Sequence, residues 1–513
     1  MVSHSTTKAI VILCGAAWLH QAAAQNTGFK GCDALLDAGL GEIVVFPVDE
    51  AYSESVSSYY SSENRRLRPF CIAQPRSTDD VSEIVKTLAT VSAAGNWDIA
   101  IRSGGHSDFD SSAVSRGVTI DLSHLNKIEV QDKCVGKWTG ETKLIKNIAS
   151  VGPGARWGKV YETLEKHNIS AAGGRAGAVG VGGLLLSGGA SFHTQYWGFS
   201  CNGVVKYEVV LGDGSVVEAT EDENEDLFRA LKGGGSNLGI VTRFDLRTYT
   251  VNPEGAYGGL IFGTWPEQQL WTEQFVKYAS TSSGSPDHWF LLYRNDGGNL
   301  GIMSMAVSTD GKENSTTFAP FNDFTITRDM RAKQSLSSIA ASISDTGGSH
   351  YIPWALTLQP TKAIMDKAAE IFVEVTKALE EAGVPVSVNF VFQPLPKHPK
   401  GTTVENIMGH DKNLPTDSIL FEARITLPAE QATLGGIAQH IVGQGIEDLR
   451  RFSAAQEDHS TFLYMNYAHP EQDVISSYGE DNLEFLKSTA EKYDPEGFFQ
   501  RRVTGGWKVS RVN

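Results

Sequence analysis

Residues 102–107 read Arg-Ser-Gly-Gly-His-Ser, and residues 173–189 read Gly-Gly-Arg-Ala-Gly-Ala-Val-Gly-Val-Gly-Gly-Leu-Leu-Leu-Ser-Gly-Gly. Glycine permits both positive φ angles and a close approach of the backbone to a ligand. Two such segments in one region therefore indicate backbone N–H groups gathered around a polyanionic cofactor. Because His106 lies in the first segment, its side chain is within reach of that cofactor.

The sequence around the first glycine segment alternates strands and helices. Residues 77–80, Ser-Thr-Asp-Asp, supply helix caps, and the apolar residues that follow repeat at helical spacing, which predicts a helix beginning near Asp79. Residues 98–102 alternate like a strand that ends in the first segment, and residues 118–122 mark the next strand. Neither glycine segment links a strand to a helix in the GxGxxG form, which argues against a Rossmann fold.

The rest of the chain divides into two regions that differ in the length of their predicted strands and helices. Up to about residue 250 we expect short elements: a helix after Trp157, a hairpin on Asp213-Gly214, a helix at 225–232 and a strand at 240–246. Beyond that point the strands lengthen, and the chain reads as a sheet covered by helices. The elements predicted there are a hairpin of strands 289–294 and 302–306, a helix at 362–381 and a strand at 386–392.

Length and charge restrict the class of protein. A chain of 513 residues exceeds the usual size of one domain, so we expect two domains, or one core split by an insertion. The formal net charge of −16 opposes the basic surface that nucleic-acid binding requires, and it disfavours anionic membranes. We therefore expect neither nucleic acid nor a membrane as a partner.

The N-terminus is typical of a secreted protein. Lys8, an apolar run and three alanines before Gln25 predict a signal peptide over residues 1–24, because the run is too short for a membrane anchor. Its removal leaves four cysteines, which allow three pairings. We favour a Cys32–Cys71 disulfide, since these residues flank the start of the fold, with Cys134 and Cys201 unpaired. The sequons at Asn168 and Asn314 predict N-glycans.

An ordered series of motifs resembles the berberine-bridge-enzyme-like FAD-linked oxidoreductases, in the vanillyl-alcohol-oxidase and p-cresol-methylhydroxylase superfamily. The resemblance spans nearly the whole mature chain and includes fungal secondary-metabolite oxidases. Its elements are the two glycine segments, Gly152-Pro-Gly-Ala-Arg-Trp157, Gly239-Ile-Val241, Tyr464-Met-Asn-Tyr467 and Tyr493-Asp-Pro495.

The resemblance implies an α+β fold with a two-part FAD-binding domain of the p-cresol-methylhydroxylase type. Residues 30–250 and 455–513 would form that domain. Residues 251–454 would form an inserted substrate domain, an antiparallel sheet covered by helices. Such a protein would bind FAD, a small-molecule substrate and molecular oxygen, and we expect it to be a monomer.

The family attaches its flavin covalently to the histidine of the first glycine segment, so the resemblance implies a bond from His106 to the flavin 8α-methyl group. The alternative is a turn histidine satisfied by neighbouring backbone. Ala176 replaces the cysteine that makes a second bond in some relatives, and Val179 occupies a position that controls oxygen access, where valine implies an oxidase. The candidate cofactor-binding residues are His106, Arg102, Ser103, Gly104, Gly105, Ser107, Gly174, Val179, Gly180, Gly182, Gly183, Gly189, Ile240 and Asn466.

The catalytic base implied by the resemblance lies in the Tyr-x-Asn-Tyr motif, with Tyr467 the first choice and Tyr464 the second. A tyrosine of ordinary pKa, near 10, is a poor base at neutral pH, so a cation or a hydrogen-bond donor must stabilise its phenolate. The alternative is two strand aromatics in a core. Weaker candidates, each equally or better explained as structural, are Gln393, His350, Trp354 and His193. We expect no metal site and no hydrolase motif.

These observations predict a secreted oxidase that takes hydride from an alcohol, an amine or an activated C–H carbon and passes the electrons to oxygen, giving hydrogen peroxide. The absence of a second flavin attachment at Ala176 favours a secondary metabolite over a sugar as the substrate. A carbohydrate oxidase and a flavin-bound cyclase without net redox turnover are the two alternatives.

Overall fold

The computed structural model describes residues 27–92, 96–131, 147–399 and 405–512. The predicted signal peptide and Cys134 lie outside these residues. In the described part of the chain, no helix is both long enough and apolar enough to span a membrane.

The strands fall into short early ones and long later ones. In chain order they are β1 Val44–Val45, β2 Cys71–Ala73, β3 Asp98–Arg102, β4 Gly117–Asp121, β5 Ile128–Gln131, β6 Ile148–Val151, β7 Ile169–Ser170, β8 Val204–Val210, β9 Val216–Ala219, β10 Ile240–Arg247, β11 Tyr249–Thr250, β12 Ala256–Thr264, β13 Asp287–Asp296, β14 Asn299–Ser308, β15 Ile326–Asp329, β16 Ala332–Gln334, β17 His350–Leu358, β18 Ser387–Leu395 and β19 Ser418–Leu427.

Most helices are short, and two reach 20 residues. In chain order they are α1 Lys30–Asp37, α2 Glu50–Ser57, α3 Ser62–Arg66, α4 Thr78–Thr90, α5 Trp157–Glu165, α6 Val181–Leu186, α7 Thr194–Trp197, α8 Glu225–Leu231, α9 Gln268–Ala279, α10 Leu336–Ser342, α11 Lys362–Glu381, α12 His410–Asn413, α13 Gly435–Ala454, α14 Glu480–Tyr493 and α15 Phe498–Arg501.

The first sheet has the order β1-β2-β4-β3, with β4 parallel to both β2 and β3. Helix α4 begins one residue before the predicted position because Ser77 and Asp80 form a reciprocal capping box. Its apolar stripe is buried, as the helical spacing predicted. The first glycine segment leaves the end of β3 and leads to β4, so it is the predicted strand-to-strand connection.

The second sheet is antiparallel, with the order β5-β6-β10-β8-β9. The predicted hairpin between β8 and β9 turns at Asp213 and Gly214, where Gly214 has φ +81° and Asp213 accepts a hydrogen bond from the Ser215 amide at 2.8 Å. The second glycine segment differs from the expected loop, because Val181–Leu186 inside it form the short helix α6. Gly180 is the N-cap of that helix.

The third sheet is antiparallel and has eight strands, in the order β15-β12-β14-β13-β18-β19-β17, with β16 also paired to β12. One face is covered by helices, as predicted, because every second residue of β13, starting with Trp289, enters a core shared with α11 and α13. The apolar stripe predicted for α11 is buried in that core. The other face of the sheet presents Phe290 and Leu292 toward the glycine segments.

The C-terminal segment returns to the first two sheets. Helix α14 packs against α8, where the Tyr493 hydroxyl donates to Asp226 at 2.7 Å. Phe498 and Phe499 enter the core beneath the first sheet. The sequence boundaries proposed between the domains stay predictions.

The predicted Cys32–Cys71 disulfide is present, and it joins α1 to β2 with the two Cα atoms 6.2 Å apart. The two cysteines are 39 residues apart in sequence, and a bridge that closes a loop of this size stabilises a fold by about 4 kcal/mol. Cys201 is buried and unpaired within the described residues.

Candidate functional site

A cavity of about 710 Å³ lies between the two glycine segments, the third sheet and the C-terminal segment. Most candidate residues named from the sequence meet on its wall, although they come from distant parts of the chain. The predicted residues that line it are Ser103, Gly104, Gly105, His106, Ser107, Gly174, Val179, Gly180, Gly182, Gly183, Ile240, Tyr464, Asn466 and Tyr467.

Two residues predicted to contact the cofactor, Arg102 and Gly189, do not lie on the wall of this cavity, and their contact with a cofactor stays a prediction. The Arg102 side chain leaves the end of β3 in the opposite direction. Its guanidinium donates to the hydroxyls of Ser55 at 2.8 Å and Ser58 at 2.6 Å and pairs with Asp121 at 3.4 Å. Arg102 therefore anchors the start of the first glycine segment to Ser55, Ser58 and Asp121.

Gly189 is required for packing within the second glycine segment. This residue has φ +90°, and a Cβ atom there would lie 2.6 Å from the Leu184 side chain and 2.9 Å from Ser200 Cβ. Glycine is required at this position by the fold of the second segment.

The two glycine segments contact each other through bare backbone. A Cβ atom on Gly104 would lie 2.5 Å from the Cα atom of Gly180, and a Cβ atom on Gly180 would lie equally close to Gly104. Ser103 joins the same contact, since its hydroxyl donates to the Pro153 carbonyl at 2.5 Å and accepts from the Gly182 amide at 3.2 Å. The absence of side chains at Gly104 and Gly180 thus allows the segments to meet.

The first segment presents a row of amides to the cavity. In the described part of the chain, the N–H groups of residues 104–107 donate to no protein acceptor. Two carbonyl groups of the segment are occupied: Gly105 accepts from the Tyr60 amide at 2.8 Å, and Ser107 accepts from Asn64 at 3.0 Å. Successive N–H groups with free hydrogens form a concave anion-binding site.

His106 is held by an aromatic stack. Its ring lies 3.9 Å from that of Tyr60 at an interplanar angle of 24°, and Tyr60 stacks in turn on Tyr351 at 4.5 Å. Burial, followed by the positive charges of Arg424 and Arg156, lowers the pKa of His106 to about 3. The imidazole is therefore neutral at neutral pH, and one ring nitrogen keeps a free lone pair.

A partly buried arginine links this stack to two carboxylates, and none of the three residues was predicted from the sequence as a site residue. Arg424 pairs with Asp108 at 2.8 Å and with Glu422 at 3.2 Å. Burial raises the pKa of both carboxyl groups, and Arg424 opposes that shift. Asp108 is the residue directly after the first glycine segment, and its partner lies in β19, so sequence spacing gave no sign of the pair.

Tyr467 ends a short 3₁₀ turn, Met465–Tyr467, and Tyr464 is the N-cap of that turn, so neither residue lies in a strand. The Tyr467 oxygen accepts hydrogen bonds from Arg175 at 2.6 Å and from Gln393 at 2.5 Å. Tyr467 thus has the cation and the donor that a tyrosine base requires. Arg175 belongs to the second glycine segment, where the sequence reading missed it.

Tyr464 is in a different environment. Its oxygen accepts from the Ala190 amide at 2.7 Å and from Asn466 at 3.0 Å, and burial raises the pKa of its phenol. Asn466 also donates to the Ser187 carbonyl at 3.1 Å. This environment favours a neutral phenol that holds the turn on the second glycine segment.

The four weaker candidates differ in their position relative to the cavity. Gln393 lines the cavity, whereas His193, His350 and Trp354 do not. His193 is buried against Tyr249, His350 lies 3.2 Å from Glu63, and Trp354 stacks on His469 at 4.3 Å. The described residues contain no group of three or more His, Cys, Asp or Glu side chains arranged to hold a metal.

The third sheet contributes an apolar patch to the cavity wall, next to the polar side chains of Gln393, Glu422 and Arg424. The patch comes from alternating positions of β12, β13, β14 and β18, because side chains on one face of a strand recur every second residue. The residues of this patch, called here the apolar wall, are Leu260, Phe290, Leu292, Met303 and Val391. The cavity wall therefore combines the free amides of residues 104–107 with an apolar patch from the third sheet.

Single glycine substitutions distinguish glycines that are needed for contact between the two segments from glycines that leave room for a ligand. Gly104→Ala should lower the free energy of unfolding by about 1–3 kcal/mol, because the backbone of Gly180 must move. A Cβ atom on Gly183 meets nothing within 4 Å, so Gly183→Ala should not lower stability and should raise it slightly, because the residue lies in helix α6, but it should reduce binding of an anionic cofactor. Thermal unfolding and the cofactor content of each purified variant measure the two effects. Equal destabilisation by both would contradict this division.

Comparison with known proteins agrees with this geometry. Residues 69–220 match a family model described as an FAD binding domain. The chain is 32% identical over 493 residues to the FAD-dependent monooxygenase drtC of Aspergillus calidoustus, covering 94% of this chain and 90% of that protein.

Solved structures share the fold. 6-Hydroxy-D-nicotine oxidase from Arthrobacter nicotinovorans superposes with a TM-score of 0.72 at 20% identity, covering 90% of this chain and 97% of its own. Berberine bridge enzyme from Eschscholzia californica gives a TM-score of 0.71 at 15% identity, with coverages of 93% and 99%.

The residues present fit an FAD molecule. The row of free amides at 104–107 suits a diphosphate, the open side of Gly183 leaves room for a ligand against the backbone, and the volume lies in the range of cofactor sites. When bound, FAD supplies two-electron chemistry that protein side chains lack. From the motifs, the fold and the similarity to an FAD-dependent relative over nearly its whole length, the chain belongs to the berberine-bridge-enzyme-like family of FAD-linked oxidoreductases.

Proposed function

We propose that this protein is an FAD-linked oxidase that takes hydride from an alcohol, amine or activated C–H carbon of a small, largely apolar molecule. Oxygen is the electron acceptor, hydrogen peroxide is the second product, and FAD is attached covalently through His106. The observation that carries the proposal is the placement of the Tyr467 oxygen, which accepts from Arg175 on the wall of the cofactor cavity.

The glycine segments hold the cofactor in this proposal. The amides of residues 104–107 bind the diphosphate, and Gly180, Gly182 and Gly183 keep the backbone of the second segment close to the cofactor. The role of Ile240 is to pack against it from β10. Val179 lies on the same wall, where it regulates the approach of oxygen.

His106 suits covalent attachment for two reasons. Its low pKa keeps the imidazole neutral at neutral pH, so a nitrogen lone pair is available to form a bond to carbon. The stack on Tyr60 fixes the plane of the ring. Ala176 also lines the cavity but has no nucleophile, so the proposal includes one covalent bond and not two.

Tyr467 is the proposed base. The Arg175 guanidinium stabilises a negative phenolate oxygen by charge and by a short hydrogen bond, which lets the oxygen accept the substrate proton. Glu422 is another titratable residue on the cavity wall, but burial raises its pKa and its carboxylate pairs with Arg424. Tyr467 is therefore the first choice on charge grounds.

The apolar wall favours a substrate of secondary-metabolite type over a sugar. Hydroxyl groups of a carbohydrate would lose their hydrogen bonds with water against Phe290, Leu292 and Met303 without replacement. An aromatic or polyketide ring would instead bury apolar surface there.

The proposed cellular setting is the secretory pathway, with the protein a monomer. The Cys32–Cys71 disulfide supports an oxidising compartment. Both sequon residues, Asn168 and Asn314, are exposed and accessible to glycosylation.

Oxidase activity is tested by the flavin spectrum without air. An aromatic or polyketide alcohol should bleach the flavin, and added oxygen should restore the colour with one hydrogen peroxide formed per oxygen consumed. Sugars at the same concentration should not bleach it. Bleaching by sugars alone would identify a carbohydrate oxidase, turnover without bleaching would identify a cyclase, and heavy oxygen from O₂ in the product would identify a monooxygenase.

The attachment through His106 is tested by denaturing the protein in acid. The yellow colour should stay in the pellet of the wild type and of His350→Ala, a control outside the cavity, and should move to the supernatant in His106→Ala. Colour that leaves the wild-type pellet, or that stays in the His106→Ala pellet, would rule out this bond.

The base is tested by comparing the two tyrosines. Tyr467→Phe should slow anaerobic flavin bleaching by about 10²–10⁴-fold, because a positioned base contributes that much. Tyr464→Phe should act mainly on stability, by about 1 kcal/mol, since it loses the bond from the Ala190 amide. Stopped-flow absorbance gives the rates. A larger loss of rate in Tyr464→Phe, or in Glu422→Gln, would transfer the role to that residue.

A further inference from the structure

Strand β13 directs a buried histidine toward the second glycine segment. His288 is 1% exposed and lies two residues before Phe290, on the face of the strand that carries the apolar wall. It does not line the cavity. Arg175 covers Phe290, with its guanidinium carbon 5.3 Å from the ring centroid, and this position places the guanidinium between His288 and Tyr467.

A directional chain of hydrogen bonds passes through His288. The Gln195 side-chain nitrogen donates to the Pro394 carbonyl at 3.1 Å, so the amide oxygen of Gln195 faces His288 Nδ1 at 3.0 Å. On the other side, Arg175 lies 3.2 Å from His288 Nε2. Arginine only donates and a backbone carbonyl only accepts. The imidazole must therefore be neutral, with its proton on Nδ1 and a lone pair toward Arg175.

The charges around His288 favour the same state. Burial, followed by the charges of Arg175 and His193, holds the pKa of His288 well below its usual range. A protonated ring would lose its acceptor and repel the guanidinium. Arg175 is thus fixed by an acceptor that carries no charge of its own and does not neutralise it.

This arrangement decides where the positive charge of Arg175 acts. Nη1 is engaged by His288, and Nη2 donates to the Tyr467 oxygen at 2.6 Å. Tyr464 is a titratable neighbour of Tyr467, with ring centroids 4.8 Å apart, and Glu422 interacts with Arg175 by charge. Of these groups, Arg175 alone brings a positive charge to the Tyr467 oxygen.

We propose that His288 is a positioning residue, which orients Arg175 so that its guanidinium stabilises the phenolate of Tyr467. Gln195 supports His288 by accepting a hydrogen bond from its Nδ1–H group. The proposal rests on the proposed role of Tyr467 as the base and adds a residue outside the cavity on which that role depends.

The test is a pH titration of the ultraviolet absorption band of tyrosinate in the holoenzyme. Subtracting the same titration of Tyr467→Phe leaves the absorbance change that is due to Tyr467. His288→Leu should move the midpoint of this ionisation upward by about one pH unit, a tenfold change in the equilibrium. His288→Gln can still accept from Arg175 and donate to Gln195, so it should return the midpoint toward the wild-type value.

A double-mutant cycle separates positioning from packing. Arg175→Met keeps the apolar stem over Phe290 and should raise the midpoint by itself. In that background His288→Leu should add nothing, because both changes remove one interaction. An equal upward shift with and without Arg175, or no shift in His288→Leu, would overturn the proposal.

Folding and function are monitored apart from this readout. Thermal unfolding and bound flavin identify variants that have lost their structure, and His288→Gln provides a folded comparison if His288→Leu does not accumulate. Because the titration needs no substrate, a negative result is distinct from failure of the proposed oxidase function, which the anaerobic bleaching of Tyr467→Phe tests separately.

Discussion

The contact between Gly104 and Gly180 is the constraint on which the site depends. Side chains at these positions would separate the two glycine segments, since each Cβ atom would fall 2.5 Å from the backbone opposite. Their contact brings the free amides of residues 104–107 and the Arg175 side chain to one cavity. Glycine therefore has two uses here, to join two segments of the protein and to leave room for a cofactor.

Charge is distributed around this contact in two groups. Arg424 lies among Asp108, Glu422 and the Tyr60–Tyr351 stack at the His106 side of the cavity, while Arg175 faces Tyr467. The first arginine is paired with carboxylates and helps to keep His106 neutral. The second contacts a neutral histidine, so its charge remains available to a phenol oxygen. The two arginines thus have different electrostatic environments.

The sequence predicted the elements that local patterns determine. The stripe of helix α11, the hairpin of β13 and β14 and the capped start of α4 are present because periodicity, turn residues and caps act over a few positions. The motifs also identified the family and 14 of the residues on the cavity wall. The motif that contains Arg102 did not reveal that this side chain turns away from the cavity at the end of β3.

The remaining features depend on pairs that are distant in sequence. Asp108 was visible directly after the first glycine segment, but its partner Arg424 comes from the third sheet. Arg175 was visible within a glycine segment, yet its partners His288 and Tyr467 come from β13 and the C-terminal turn. A single sequence does not show which residues of distant elements contact each other. The charge interactions of these pairs are therefore known only from the structure.

The central claim is that two segments of bare backbone hold FAD in this cavity. The visible absorption spectrum of the purified wild-type protein tests it most directly. We expect a flavin spectrum at one equivalent per chain. A colourless protein that also fails to take up added FAD would contradict the account.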